Sequence, residues 1–231
     1  DYWHPVRETL RSRYGQGLAI LGLIGAGGDV TPHLMLGKAA DERMRQLRKL
    51  SRLDEIARRI VRGWEEAFEA AKLDIRSDVV LKHVVKTIEL PYRQVTAAEA
   101  EEARTMAAQY VDKPSERWNY LWYQRVVELY EKQQRGESGS FPMELHVIRL
   151  GDIAIATNEF ELYTDYGIQM KARSPAVQTF VIQLTGSAGY LPTERAVRGG
   201  GYGAVIQSGR IGPEGGQVLV DRTIEAISQL W

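Results

Sequence analysis

The run Gly151 to Tyr202, GDIAIATNEFELYTDYGIQMKARSPAVQTFVIQLTGSAGYLPTERAVRGGGY, decides the fold. Ile153 to Thr157 is a short apolar segment of strand type, and Asn158, Glu159, Phe160 and Glu161 stand where a helix should begin. Leu162, Tyr166 and Met170 keep a helical spacing until Ser174-Pro175, a pair that disfavours further helix. Val177 to Leu184 reads as a second strand and runs into Gly186 to Gly189, beyond which Tyr190, Thr193, Glu194, Arg195 and Tyr202 are presented on a loop. Strand, helix and strand in succession predict an α/β fold, a mixed sheet flanked by helices. Polar groups gathered at strand ends mark the usual place for a ligand site in such folds.

Glu144 to Leu150 joins Gly151 to Thr157 through a Gly-Asp turn and reads as a hairpin. The polar, Gly/Ser-rich stretch Gln133 to Ser140 is the best internal break in a chain that otherwise reads as one domain over residues 1–231. Ser115 to Gln134 reads as a helix whose Trp118, Leu121, Trp122, Val126 and Tyr130 have the spacing of a core stripe. Thr96 followed by Glu99 is the capping-box pattern and starts a helix to Tyr110. Val79 to Leu90 is a strand closed by Pro91, and Lys38 to Leu73 is helical in pieces broken near Leu50-Ser51. Tyr2 to Tyr14 is an amphipathic helix ended by Gly15-Gln16-Gly17, and Leu18 to Ile24 reads as a buried strand. Glu214 to Trp231 closes the chain as a helix.

Composition narrows the functions. Thirty basic and thirty acidic side chains give zero formal net charge, which offers no electrostatic attraction to nucleic acid or to an anionic membrane. With no cysteine there is no disulfide and no thiolate metal site. No apolar run approaches the roughly 18 residues of a membrane span. Asp1 is not a methionine, and DYWHPVRETLRSRYG reads as the inside of a helix-containing domain, so a processed chain or a fragment is expected.

The motifs for familiar chemistries are largely missing. The loop Gly25 to His33 follows a strand-like run, yet Val30 stands where a dinucleotide fingerprint needs its last glycine, and Pro32 interrupts the helix that should follow. There is no GxSxG elbow, and the glycines 199 to 203 lack the Lys-Ser/Thr of a phosphate loop. His4, His33, His83 and His146 stand at no spacing of a histidine metal box. His33, in a Gly-rich loop near Asp29, makes Asp29 and His33 a candidate site loop. Glu159 and Glu161 suit acid–base work, and they equally suit a helix start, where carboxylates meet the dipole.

Three of these segments together resemble the neutral ceramidase family, including its bacterial relatives of unassigned substrate. GDIAIATNEFELYTDYG and GSAGYLPTERAVRGGGY look like the C-terminal half of that family's catalytic domain, and Gly27-Gly28-Asp29-Val30-Thr31-Pro32 looks like its GD(V/I)(S/T)P loop. The resemblance implies part of a larger catalytic domain, from a zinc hydrolase of sphingolipid metabolism that cleaves the N-acyl amide bond of ceramide. Zinc in that family is held by two histidines, a glutamate and a tyrosine. The family's P-x-E falls on Asn158 to Glu161 and implies Glu161 as a metal ligand; the tyrosine of its Y-V-T-T segment falls on Tyr190, implying a second. A further family tyrosine near the reacting carbonyl falls on Tyr202, which implies a catalytic role there.

Both histidine ligands lie upstream of the GD(V/I)(S/T)P loop in the family, where this chain has only His4. A histidine-bearing N-terminal half, in the same gene or as a partner chain, is therefore expected to complete the site, and the chain alone is expected to be inactive. An N-acyl small molecule or lipid is the implied substrate, and an exported or periplasmic location is implied with it. The alternative is a non-catalytic binding or assembly domain that keeps the fold.

Overall fold

A computed structural model describes all residues, 1–231. The chain forms two compact units, one of Asp1–Leu23 with Thr31–Val79 and one of Ile24–Val30 with Val80–Trp231. The loop at 133–140 lies inside the second unit. No helix is long and apolar enough to cross a membrane.

The first unit is helical: α1 (Trp3–Tyr14), α2 (Lys38–Arg48) and α3 (Arg52–Ala71). Val6 and Leu10 of α1 pack against Ala57 and Val61 of α3 to make its small core. Helix α2 stops where Lys49 turns left-handed, and α3 restarts behind Ser51, whose side chain accepts the Asp54 N–H. Helix α2 buries none of its residues. Its charged side meets α3 through Asp41–Arg59 at 2.8 Å and Arg48–Glu55 at 3.4 Å, while Met44 and Leu47 stay exposed.

Leu18 to Ile24 does not form the expected strand. Arg11 and Arg7 donate to the carbonyls of Leu18 and Ile20 at 3.3 and 3.4 Å, so side chains of α1 occupy backbone positions that a ladder would use. Leu21 and Leu23 are exposed rather than buried.

The second unit is the mixed α/β body. Strands β1 (Leu81–Pro91), β2 (Ser140–Leu150), β3 (Ile153–Thr157) and β5 (Gln178–Ile182) form one sheet in the order β1-β2-β3-β5. The first three are antiparallel, and β3–β5 is parallel. Hairpin β2–β3 turns at Gly151-Asp152 with Leu150 opposite Ile153. Strands β4 (Glu161–Leu162) and β6 (Tyr190–Leu191) make a second, two-stranded parallel sheet. Helices α4 (Ala97–Ala108), α5 (Arg117–Gln134), α6 (Thr164–Arg173), α7 (Glu194–Gly199) and α8 (Pro213–Ser228) surround these strands.

Alternation along β2 buries Met143, Leu145 and Val147, and leaves Glu144, His146 and Ile148 on the opposite face. Helix α8 covers the apolar face with Leu219, Val220 and Ile227, while the other face is open, with Val85 and Phe180 exposed on it. Helix α4 begins with the capping box read from Thr96 and Glu99. Its Ala100 and Ala103 pack on Val126 and Val127 of α5.

The expected helix start at Asn158 to Glu161 is displaced to Thr164. Asn158 accepts the Phe160 N–H at 3.1 Å, which turns the chain, and the fully buried Phe160 draws it inward. Glu161 then enters β4 instead of a helix.

Glu55, in the first unit, is buried against three guanidinium groups. Arg58 meets both its oxygens at 2.8 Å, Arg59 meets Oε1 at 2.9 Å, and Arg48 lies at 3.4 Å. The hydrogen bonds from Arg58 lead in holding its carboxyl down, to about 2. A depressed carboxyl pKa stabilises the fold above its unfolded value, and that contribution is lost as pH falls through the folded value. Acid titration followed by circular dichroism should therefore show the helical unit weakening between roughly pH 4.5 and pH 2. Glu55→Gln should flatten that dependence; an identical acid profile would refute the role given to Glu55.

Candidate functional site

Leu162 and Leu191 are fully buried and opposite each other in the β4–β6 pair. Because side chains alternate along a strand, their neighbours Glu161 and Tyr190, also opposite each other, point the other way. They face a cavity of about 740 Å³ whose wall also includes Tyr202, Trp122, Trp118 and Arg125. The three residues nominated for metal binding and catalysis, Glu161, Tyr190 and Tyr202, thus line one cavity.

Burial, then hydrogen bonding to the Glu161 carboxylate, pushes the Tyr190 phenol up to about 12. It is a protonated donor at neutral pH. Tyr202 meets Tyr190 edge-on, with ring centroids 5.7 Å apart, and stacks on Trp122 at 6.1 Å. Tyr202 is 70% exposed, so its ring stands at the mouth.

Backbone builds the wall behind the pair. Gly28 donates to the Leu162 carbonyl at 2.8 Å, and a Cβ on Gly28 would lie 2.2 Å from the Glu161 carbonyl oxygen. On the other strand, a Cβ on Gly209 would lie 2.1 Å from the Tyr190 carbonyl oxygen. Gly189, with φ of 82°, turns the chain into β6 and accepts the Glu161 N–H at 2.9 Å.

Asp29 serves this frame rather than the cavity: it accepts from the backbone N–H and hydroxyl of Thr164, at 2.8 and 2.6 Å, at the start of α6. His33 belongs to the first unit, where its backbone N–H donates to Thr31. Glu159 packs its side chain against Gly186.

Two supports are not obvious in the sequence. Gln183, 6% exposed, uses one Oε1 to accept the Leu162 N–H at 2.8 Å and the Gly27 N–H at 3.3 Å. Arg93, 9% exposed, donates to the Ala204 carbonyl at 2.7 Å and so fastens the loop that carries Tyr202. Burial pushes the Arg93 pKa down. Val126 and Tyr130 of α5 keep the expected core role, Val126 buried and Tyr130 packed against its cluster, whereas Trp118 and Trp122 line the cavity. Trp118 is 65% exposed, and Trp118, Trp122, Arg125, Leu129 and Lys132 form one helical stripe along the cavity. That spacing was readable, but it does not say whether a stripe faces core or cavity.

The Glu161 carboxylate and Tyr190 phenol lie side by side and fit two donors of the zinc that the resemblance implies, since zinc accepts oxygen ligands beside histidine. No histidine lines the cavity. The cavity presents two donors where a tetrahedral zinc ion takes four.

No protein-family model matches the chain, and no curated protein or solved structure matches it either.

Replacing Gln183 with Ala strands two backbone N–H groups, each at a cost on the order of 1–3 kcal/mol. Urea denaturation should show a loss in that range or above, with Tyr190 fluorescence and proteolysis near Gly27 reporting a loosened wall. A loss below about 0.5 kcal/mol, the level of an ordinary surface change, would contradict the bridging role.

Proposed function

We propose that the chain is part of a ceramidase-like, zinc-dependent hydrolase of an amide (N-acyl) bond, and that the Glu161–Tyr190 cavity is its share of the active site. The observation that carries this reading is the β4–β6 register, which sets Glu161 opposite Tyr190 with the Tyr202 ring edge-on to Tyr190. Glu161 and Tyr190 would hold the metal, and two histidines from a further part of the protein or a partner chain would complete its shell. Zinc, when bound, supplies a Lewis acid and a water whose pKa falls towards about 7.

The chain's own residues do the rest. The Tyr190 proton, held at neutral pH by burial and by Glu161, leaves when the phenol becomes a ligand, so metal uptake is coupled to proton release. Tyr202 donates a hydrogen bond to the carbonyl oxygen of the substrate as negative charge builds on it, where a preorganised donor contributes most. Trp118 and Trp122 give an N-acyl group an apolar wall.

The second reading is a non-catalytic binding or assembly domain. The exposed rings of Trp118 and Tyr202 favour it, because they offer a ligand platform that needs no metal.

In the protein complete with its histidine-bearing part, Glu161→Gln and Tyr190→Phe should each lose zinc and amide hydrolysis. Tyr202→Phe should keep zinc and lose on the order of 10²-fold in kcat. Unchanged zinc content in both ligand variants would sink the hydrolase assignment. Ligand binding that needs no metal and is lost in Trp122→Ala would favour the second reading.

A further inference from the structure

The open face of the four-stranded sheet brings together two histidines 63 residues apart in sequence, His83 on β1 and His146 on β2. The register sets His83 opposite Ile148 and Val85 opposite His146, so the two imidazoles are diagonal neighbours on one face. His83 Nε2 and His146 Nδ1 are 3.0 Å apart, and the rings lie within 18° of parallel. The other nitrogen of His146, Nε2, is 2.8 Å from Glu144 Oε1. That contact selects the tautomer: Nε2–H donates to the carboxylate, and Nδ1 keeps a lone pair for the His83 Nε2–H.

We propose that His83 and His146 bind a divalent first-row transition-metal ion, Zn²⁺ or Cu²⁺, through His83 Nε2 and His146 Nδ1, with Glu144 orienting His146 from behind. Imidazole nitrogen is the donor these ions favour. Two Zn–N bonds of about 2.0–2.1 Å at a tetrahedral angle span about 3.3–3.4 Å, so the nitrogens need to part by only a few tenths of an ångström. His83 carries its proton on Nδ1 rather than Nε2 when the ion takes the shared position. Glu144 stands where carboxylates commonly back a metal-bound imidazole, raising its basicity and fixing its ring. Both strands are held in an unbroken eleven-residue ladder, so the site rests on a rigid frame. His83 is exposed and His146 half-buried, which leaves water free to fill the remaining coordination positions.

The site shares no residue with the Glu161–Tyr190 cavity. Titration of the full chain with Cu²⁺, read by electron paramagnetic resonance, should give one tight equivalent with coupling to two imidazole nitrogens. His83→Ala and His146→Ala should each abolish the two-nitrogen signature while circular dichroism stays unchanged, as expected for side chains on the open face. Glu144→Gln should keep the signature and weaken binding by roughly tenfold or more. Glu161→Gln and Tyr190→Phe should leave it intact, which separates this site from the proposed hydrolase centre. A two-nitrogen signal that survives either histidine substitution, or that disappears in Glu161→Gln, would overturn the assignment, as would the absence of any tight equivalent in the folded chain.

Discussion

One buried oxygen, Gln183 Oε1, is the constraint on which the cavity depends. It sits just past β5 and accepts from Leu162 on β4 and from Gly27 in the segment Ile24–Val30. The Gln183 backbone N–H in turn donates to the Ile24 carbonyl at 3.0 Å. Three stretches distant in sequence are therefore pinned at one point, and the short β4–β6 pair gains a backing that two hydrogen-bonded residues per strand could not give it. In a site of low dielectric, an amide that satisfies two buried N–H groups holds position better than an apolar residue of equal size, which would leave both unpaired.

The parts of the fold legible in the sequence are those decided locally. Thr96 and Glu99 cap α4 because both partners lie within one turn, and the Gly151-Asp152 turn sets the hairpin register within a few residues. The break at Leu50-Ser51 is equally local, since Ser51 caps α3 by itself. Leu18 to Ile24 misled because an apolar run says nothing of its hydrogen-bond partners, which here include Arg7 and Arg11. Glu161 misled for a related reason: two acidic residues suit a helix start, and only the buried Phe160 and the distant Tyr190 strand make it an extended residue. Helix α7 shows the same limit, since Thr193 caps it at Ala196 inside what reads as a glycine-rich loop.

Of the candidate site, the sequence named Glu161, Tyr190 and Tyr202 through a family resemblance, and composition alone did not distinguish them. Trp122 reads as a core residue, and Gln183 and Arg93 carry no local signal, because their roles are tertiary: one stacks on Tyr202, one bridges two strangers in sequence, and one anchors a loop more than a hundred residues away. His83 and His146 escaped for a geometric reason. Spacing rules for histidine describe one helix or one strand, whereas this pair is assembled across two strands by an antiparallel register.

The two walls of the cavity differ in how they can change over generations. Behind Glu161 and Tyr190 the wall is main chain at van der Waals contact, and Gly28 and Gly209 leave no volume for even one added methyl group. Substitution there disturbs the strands themselves. The facing wall is the α5 stripe of Trp118, Trp122, Arg125 and Lys132, made of side chains on a regular helix that is fastened to α4 through Val127 on its opposite side and through Val126 at the edge of the stripe. Variation can therefore be accepted at the stripe without cost to the scaffold. A lineage carrying this architecture is free to explore new ligands through one helix face, while the glycine wall keeps the paired carboxylate and phenol where they are.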